Sequence, residues 1–300
     1  MHYMMTDHVV SPPEHAVDYS EQLMLMPHHY VMNDHWQILR SEMNARLPPD
    51  ARVFHEERRA GHPVDVHGGG VPPVVFCNFN RLIKSDPLVL DVWSNILRRT
   101  PNALLWLLKF PATTEAGLSV ERSSRGLHPS RLHFSAIRPI QKHLRVSQQC
   151  HLFMDTLNYN AHTTAMDALF AGVPLLTVKG SSHASRPSMS AVSAAGLGNM
   201  VARSLKEYED MAADLVSASR QHALRDVRRH GDAGDSFGSK GMGKFTTAGP
   251  MKALRQRLSH EVESPPPLFD TPGYVAALEN RLQTMWDAHS AGTKHPLHVS

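Results

Sequence analysis

The sequence predicts an α/β protein with a Rossmann-like parallel sheet, and three observations support this prediction. Short apolar runs alternate with amphipathic helical segments between residues 74 and 195, which is typical of βα units. The runs are continuously apolar, as expected for strands that helices cover on both faces of a parallel sheet. Proline at helix starts and glycine at helix ends mark the boundaries in the order that capping preferences favour.

Five apolar runs are the predicted strands: Val74–Cys77, Ala103–Leu108, Arg131–Ser135, Cys150–Met154 and Leu175–Val178. The chain has two cysteines, Cys77 and Cys150, and each lies in one of these runs. Buried cysteines of this kind behave as small hydrophobic residues and stay reduced inside cells. We therefore expect two free core thiols in a reducing compartment.

The helix after the first strand has a clear start. Asp86 can cap its first turn, and Pro87 fits the first helical position because its missing N–H is not needed there. Further helices are predicted at Glu14–Leu25, Pro139–Gln149, Thr163–Gly172, Ser185–Ala195 and Lys206–His230, and a last one runs from Thr271 to Gly292.

These elements divide the chain into three parts. Residues 1–46 form a leading segment, and residues 47–73 are polar and rich in proline and glycine, which indicates a flexible linker or insertion. Residues 74–300 contain the Rossmann-like lobe, which a Gly-rich insertion at 231–249 interrupts before the C-terminal helix.

Composition argues against several classes of function. The chain has 300 residues and a net charge of +3 without a dense Lys/Arg run, so nucleic acid is not an expected partner. No apolar run is long enough to span a bilayer and no signal peptide opens the chain. We therefore expect no membrane partner and a cytoplasmic or nuclear location. The 21 histidines are scattered rather than spaced as ligands, so no metal site is expected.

The segment His162-Thr163-Thr164 follows a predicted strand and opens a predicted helix. Open α/β sheets bind ligands at such junctions, at the carboxyl ends of their strands. The free N–H groups of the helix start, two hydroxyls and an imidazole would suit a diphosphate. Asp167 lies on the same helix face and could accept hydrogen bonds from a ribose. Simple capping, with Thr163 as the cap and Asp167 complementing the dipole, explains these residues equally well.

A second candidate segment, Asn78–Lys84, also lies between a strand end and a helix start. Arg81 and Lys84 could neutralise a phosphate from this edge of the sheet. Spacing alone favours the alternative, a basic loop that only contacts solvent.

Several motifs together resemble one family. They are Phe76–Pro87, Leu104–Pro111, Asp155–Asp167, Ala171–Pro174, Ala184–Arg186 and Ser264–Phe269, and they resemble the C-terminal catalytic lobe of the protein O-GlcNAc transferases. Residues 1–46 are similar to the passage between the two lobes of that family. The resemblance spans most of the chain outside 47–73 and 231–249.

The resemblance implies a GT-B glycosyltransferase, in which the donor lies in a cleft between two Rossmann-like lobes. Enzymes of this family transfer GlcNAc with inversion from UDP-GlcNAc to Ser or Thr of intracellular proteins, and they need no metal or other cofactor. The implied partners are therefore a UDP-sugar and acceptor proteins.

The resemblance also implies roles for individual residues. Lys84 matches the lysine that stabilises the departing UDP, where negative charge develops during transfer. The segment His162-Thr163-Thr164 matches the diphosphate-binding motif. Asp167 matches a carboxylate on the ribose side of the donor, and His143 matches a histidine near uracil.

Some positions depart from the family pattern. Arg81 stands where the family has a glutamine in contact with the donor, and Arg138 stands where the backbone of an alanine reads uracil. Four further positions differ from the family: this chain has Ile140 where the family has a lysine, Val146 where it has an arginine, and Ala161 and Ala165 where it has glycines. These changes bear on donor affinity and on the choice of base.

Two other functions are open. One is a SPINDLY-type protein O-fucosyltransferase that uses GDP-fucose, although such relatives resemble a threonine run where this chain has His162-Thr163-Thr164. The other is a catalytically inactive nucleotide-binding or scaffold protein, which the altered pocket favours. No 34-residue helical repeat and no N-terminal catalytic lobe of the family are found in the sequence. We therefore expect a fragment of a longer protein or a truncated relative.

Overall fold

The computed structural model describes residues 3–44, 74–230, 249–259 and 264–292. The insertions predicted at 47–73 and, apart from Gly249, at 231–249 lie outside these residues. The described strands are β1 Tyr3–Asp7, β2 Gln22–Met26, β3 Val74–Asn78, β4 Ala103–Leu108, β5 Leu132–Ser135, β6 Leu152–Met154, β7 Leu175–Val178 and β8 Val201–Ala202. The described helices are α1 His35–Asn44, α2 Pro87–Arg99, α3 Thr114–Ser124, α4 Ile140–Ser147, α5 Thr163–Phe170, α6 Pro187–Ala194, α7 Leu205–His230, α8 Gly249–Arg257 and α9 Thr271–Ser290.

Strands β3 to β8 form one parallel sheet in the order β5-β4-β3-β6-β7-β8. The chain builds one half of the sheet outward from β3, and then crosses back to place β6 on the other side of β3. This is the strand order of Rossmann folds, whose ligand crevice lies outside the carboxyl ends of the strands where the order reverses. The predicted α/β, Rossmann-like fold is confirmed, and the crevice is expected between β3 and β6.

Helix α2 shows why the local sequence signals were reliable. Asp86 precedes the helix and its Oδ1 accepts a hydrogen bond from the Val89 N–H at 2.8 Å, while Pro87 occupies the first turn. The apolar face is buried against the sheet and consists of Val89, Val92, Trp93, Ile96 and Leu97. Burying each such side chain contributes roughly 1.5–3 kcal/mol before conformational entropy is subtracted. Capping and helical periodicity therefore agree with tertiary packing.

The helix predicted at Glu14–Leu25 is wrong. Pro13–Asp18 forms a short 3-10 helix, Tyr19 is extended, and Gln22–Met26 is strand β2. Strand β2 pairs in parallel with β1, so that Met5 lies opposite Met24. The inter-strand hydrogen bonds of this pair override a weak helical periodicity, as tertiary context commonly does for short segments.

The expectation of two free thiols is also wrong, because Cys77 and Cys150 form a disulfide with a Cα–Cα distance of 6.0 Å. Both residues are fully buried. Cys77 lies on β3, and Cys150 lies just before β6, the neighbour of β3 in the sheet. The two are 73 residues apart in sequence, so only the crossover that places β6 beside β3 brings them together.

Residues 3–44 pack against the lobe rather than standing apart from it. The buried Asp7 carboxylate accepts hydrogen bonds from the Tyr30 N–H at 3.0 Å and from the Ser190 hydroxyl of α6 at 2.8 Å. Arg186 donates to the Val9 carbonyl at 2.7 Å. Helix α1 contacts α4 and α5, so the leading segment packs on the half of the lobe that contains β6 and its following helix. Within the described ranges, no helix has the length and apolar character needed to cross a membrane.

Candidate functional site

The two segments predicted to bind a ligand lie side by side, at the carboxyl ends of β3 and β6. The first is the loop Asn78–Lys84, and the second is the loop Asp155–His162, which leads into α5. Because β3 and β6 are adjacent and parallel, both loops emerge at the same edge of the sheet. This is the point where the strand order reverses and where ligands of such folds bind.

Asp155 holds the second loop in shape. It is 1% exposed, and its Oδ1 accepts from the N–H groups of Thr156 at 2.9 Å and Ala161 at 2.8 Å. Its Oδ2 accepts from the Thr177 hydroxyl on β7 at 2.9 Å. Burial raises the pKa of Asp155 to about 6, and these hydrogen bonds limit the rise. The loop is thus folded around one buried carboxyl group.

Two asparagines fasten the first loop to the second. Asn78 donates from Nδ2 to the Met154 carbonyl at 2.7 Å. Asn80 donates from Nδ2 to the Thr156 hydroxyl at 3.2 Å, and both asparagines are buried. Both Nδ2 donors are thus paired across the loops, as buried polar groups usually are, and these bonds hold the two loops in a defined relative position.

Lys84 reaches from the first loop to the second. Its Nζ donates to the Asn160 carbonyl at 2.8 Å and lies 3.9 Å from the centre of the Tyr159 ring. Burial lowers the pKa of Lys84, the nearby charge of Asp155 opposes that change, and the charge of Arg81 adds to it. The ammonium group therefore stands next to the start of α5, half-buried, with a neutral carbonyl and an aromatic face as its contacts.

The start of α5 is not capped by a side chain. His162 is the N-cap residue, with φ −112° and ψ −96°, and it makes no capping hydrogen bond. Thr163, which was predicted as the cap under the simple alternative, is instead the first helical residue and is exposed, while Thr164 is half-buried. That alternative is wrong for Thr163. The Ala165 N–H donates to the His162 carbonyl at 3.0 Å, and the N–H groups of Thr163 and Thr164, for which the described residues supply no acceptor, keep the capacity to bind an anion.

His162 lies over the same loop. Its Nδ1 is 3.0 Å from the Asn160 carbonyl, and its ring meets the Tyr159 ring edge-on at 5.3 Å. A carbonyl can only accept, so Nδ1 carries the proton of the neutral ring and Nε2 carries the lone pair. Burial lowers the pKa of His162, although its bond to Asn160 opposes this change and the charge of Lys84 adds to it.

Two further predicted residues, His143 and Asp167, lie on the neighbouring helices α4 and α5. The His143 ring of α4 packs edge-on against Phe79 at 5.0 Å. Burial lowers the pKa of His143, the charge of Asp167 opposes this, and the charge of Arg138 adds to it. Asp167 accepts a 2.7 Å hydrogen bond from His35 of α1.

The two basic departures from the family pattern lie at the rim. Arg81 is exposed, and its guanidinium lies 5.1 Å from the centre of the Phe110 ring. Arg138 donates to the Ala136 carbonyl at 3.3 Å, just before α4. The contribution of these two arginines to donor binding stays a prediction.

Sequence reasoning missed four residues of this site: His35, Asp155, Tyr159 and Asn160. Asp155 follows a predicted strand directly, and this position could have suggested a buried anchor. The contacts of Tyr159 and Asn160 with Lys84, and of His35 with Asp167, join distant parts of the chain, so no local spacing indicates them. Within the described residues, no group of three His, Cys, Asp or Glu side chains could hold a metal ion.

A family model described as glycosyl transferase family 41 matches residues 1–54 and 69–231. The probable UDP-N-acetylglucosamine--peptide N-acetylglucosaminyltransferase SEC of Arabidopsis thaliana is 33% identical over 299 residues, which are 99% of this chain and 26% of that protein. The UDP-N-acetylglucosamine--peptide N-acetylglucosaminyltransferase of Caenorhabditis elegans is 42% identical over 142 residues, which are 47% of this chain and 12% of that protein.

One solved structure also superimposes on most of the chain. It is a mutant of the Thermobaculum terrenum O-GlcNAc transferase, with a TM-score of 0.64 and 27% identity, and the match covers 98% of this chain and 46% of that one. The chain thus spans less than half the length of each of these relatives. This likeness agrees with the predicted fold class, a Rossmann-like lobe of a GT-B glycosyltransferase.

Proposed function

The chain belongs to glycosyl transferase family 41, and from this premise we propose that it is the donor-binding lobe of a protein O-GlcNAc transferase. The lobe binds UDP-GlcNAc, and the sugar passes with inversion to Ser or Thr hydroxyls of intracellular acceptor proteins. No metal or other cofactor takes part in this proposal. The SEC protein of Arabidopsis and the nematode relative carry names that state the same donor and a peptide acceptor.

One observation supports the proposal most directly: the Lys84 ammonium group lies beside the uncapped start of α5. The helix start supplies free N–H groups and a partial positive charge for a diphosphate. Lys84 adds a positive charge at the same place, and its hydrogen-bond acceptor within the described part of the chain is the Asn160 carbonyl oxygen. A phosphate oxygen would form a stronger, charge-assisted bond with that ammonium group than a neutral carbonyl does.

The proposed roles follow from where charge develops. When the bond between the sugar and the diphosphate breaks, negative charge builds on the departing phosphate. Lys84 and the N–H groups of α5 stabilise that charge, which other transferases neutralise with a metal ion. Thr163 and Thr164 offer hydroxyls to the diphosphate, and His162 closes the site on the side of Tyr159. Asp167 and His143 contact the ribose and the base.

The altered nucleotide pocket supports the inactive scaffold as a second candidate. At position 146, where the family has an arginine, Val146 is 1% exposed and belongs to the core. At position 140, where the family has a lysine, Ile140 begins α4. Two positive side chains are therefore replaced by apolar ones, which would weaken nucleotide binding.

A titration of the purified chain tests the proposal. UDP, UDP-GlcNAc and GDP-fucose are titrated separately by calorimetry, in buffer that contains EDTA so that metal-dependent binding is excluded. We expect UDP and UDP-GlcNAc to bind more tightly than GDP-fucose. Preference for GDP-fucose would overturn the proposal in favour of a fucosyl donor, and absence of nucleotide binding would favour the scaffold.

A further inference from the structure

The side chain of Asp167 is held by a residue from a distant part of the chain. His35, the first residue of α1, places its Nε2 2.7 Å from Asp167 Oδ1. The two side chains are only 13% and 21% exposed, so water screens this contact poorly. Among the described residues, the other carboxylate oxygen of Asp167 has no hydrogen-bond partner and is available to a ligand.

The His35 ring is itself fixed by packing. It lies 5.3 Å from the Phe170 ring at the end of α5 and 6.3 Å from the Phe269 ring. The residues just before α1 are tied to the C-terminal part of the chain, because Asn33 donates to the Leu268 carbonyl at 2.8 Å and the Thr271 hydroxyl donates to the Asn33 carbonyl at 2.8 Å. His35 therefore reaches Asp167 from a rigid support.

The surroundings of the second ring nitrogen, Nδ1, indicate which nitrogen of His35 carries the proton. His35 Nδ1 is buried and has no hydrogen-bond partner among the described residues. Burying an N–H group without an acceptor costs more free energy than burying the lone pair of a neutral ring nitrogen. The neutral ring with its proton on Nε2 avoids that cost, and this N–H donates to the Asp167 carboxylate.

We propose that His35 is a positioning residue that orients the Asp167 carboxylate toward the ribose hydroxyls of the donor. This inference rests on the proposed function, since it takes Asp167 as the ribose ligand. One oxygen of Asp167 is occupied by His35, and the other accepts from the ribose. A leading segment that precedes the lobe in sequence thereby helps to recognise the nucleoside.

The test compares two variants that separate the hydrogen bond from the packing. H35F keeps an aromatic ring between Phe170 and Phe269 but removes the donor. H35Q keeps an N–H near the position of Nε2. Binding of UDP, 2′-deoxy-UDP, 3′-deoxy-UDP and pyrophosphate is measured for the wild type and both variants.

We expect the wild type to prefer UDP over at least one deoxy analogue by roughly tenfold, the value of about one hydrogen bond to a charged group. H35F should weaken UDP binding by about that factor and lose the preference, with pyrophosphate affinity unchanged. H35Q should restore most of the preference. If His35 had a purely structural role, its replacement would instead weaken the binding of all four ligands by a similar factor.

The outcomes separate this inference from the proposed function. If H35F binds UDP and discriminates against the deoxy analogues as the wild type does, His35 does not position Asp167. If the wild type binds UDP without discriminating, Asp167 is not the ribose ligand: the inference fails together with that one role of Asp167, and the proposal that the lobe binds a UDP-sugar stands. If the wild type binds no UDP, the proposed function fails and the inference fails with it.

A measurement on the wild type alone guards against misfolding of a variant. Long-range ¹H–¹⁵N correlation spectra report which nitrogen of each histidine ring is protonated. We expect His35 to carry its proton on Nε2, and a proton on Nδ1 alone would overturn the proposal because a lone pair would then face the carboxylate.

Discussion

Replacing Asp155 with asparagine should remove a pH dependence of stability that this buried carboxyl group produces. Burial raises its pKa from 3.8 to about 6. Asparagine keeps an oxygen for the N–H groups of Thr156 and Ala161. Its new Nδ2 can donate to the Thr177 hydroxyl, which now donates to Asp155 but can also accept. The variant should therefore fold with the same loop.

The sign and size of the effect follow from proton binding. Between about pH 4 and pH 6, the native carboxyl group keeps its proton while the unfolded one has lost it. The native state then binds more protons, so this group's contribution to the free energy of unfolding falls as the pH rises through that window and is constant above it. A shift of about two pKa units corresponds to roughly 3 kcal/mol.

Urea denaturation of the wild type and D155N at several pH values between about 4 and 8 measures this contribution. Burial also lowers the pKa of His151 to about 3. As the pH falls, His151 takes up its proton in the unfolded state before it does so in the native state, so its contribution to the free energy of unfolding rises with pH, opposite to that of Asp155. The difference between the two proteins cancels the His151 effect. We expect the free energy of unfolding of D155N to increase relative to that of the wild type as the pH rises from about 4 to 6. Parallel pH profiles of the two proteins would refute the reasoning.

Three further predictions concern the disulfide and the donor site. Keeping Cys77 and Cys150 reduced should lower the free energy of unfolding by about 4 kcal/mol in urea titrations, because the bond closes a loop of 73 residues; equal stability with and without reductant would show that the bond is not formed. Binding of UDP should be accompanied by proton uptake at His162 and should tighten as the pH falls, because burial lowers the pKa of the His162 ring and a bound diphosphate would raise it. Calorimetry in buffers of different ionisation enthalpy measures this proton uptake. Zero uptake would contradict the role of His162. In a competent transferase that contains this chain, K84M should lower the transfer rate by about a hundredfold or more with little change in UDP-GlcNAc affinity. The K206M variant of an exposed lysine on α7 is the matched control for K84M and should retain full turnover, whereas normal turnover of K84M would remove Lys84 from the mechanism.

Local patterns predicted much of the sheet and several helices. Continuous apolar runs marked β3, β4 and β7 closely, and the Asp-Pro pair marked the start of α2. Residues 114–124 carry helix α3, which the sequence did not reveal, because its only buried side chain is Leu118 and its apolar periodicity is weak. Strand β8, with two residues, is too short to leave any pattern.

The candidate site could also be predicted from the sequence only in part. A strand end followed by a helix start pointed to His162-Thr163-Thr164, and the structure leaves that helix start uncapped. Position after a strand end pointed to Lys84 and helix-face spacing pointed to Asp167, and the resemblance assigned their specific roles, which stay predictions. The contacts of these residues with Asn160 and His35 were not foreseeable, since they join residues 76 and 132 positions apart.

The sequence by itself determined most strands of the large sheet and several helices, because capping, proline and glycine preferences and side-chain periodicity act within a few residues of the chain. Only the tertiary structure decided which elements are neighbours. The crossover that sets β6 beside β3 brings Lys84 to the start of α5 and joins Cys77 to Cys150. Packing of α1 on α5 brings His35 to Asp167. These pairings depend on how the apolar faces of all elements are buried together, and no local segment contains that information.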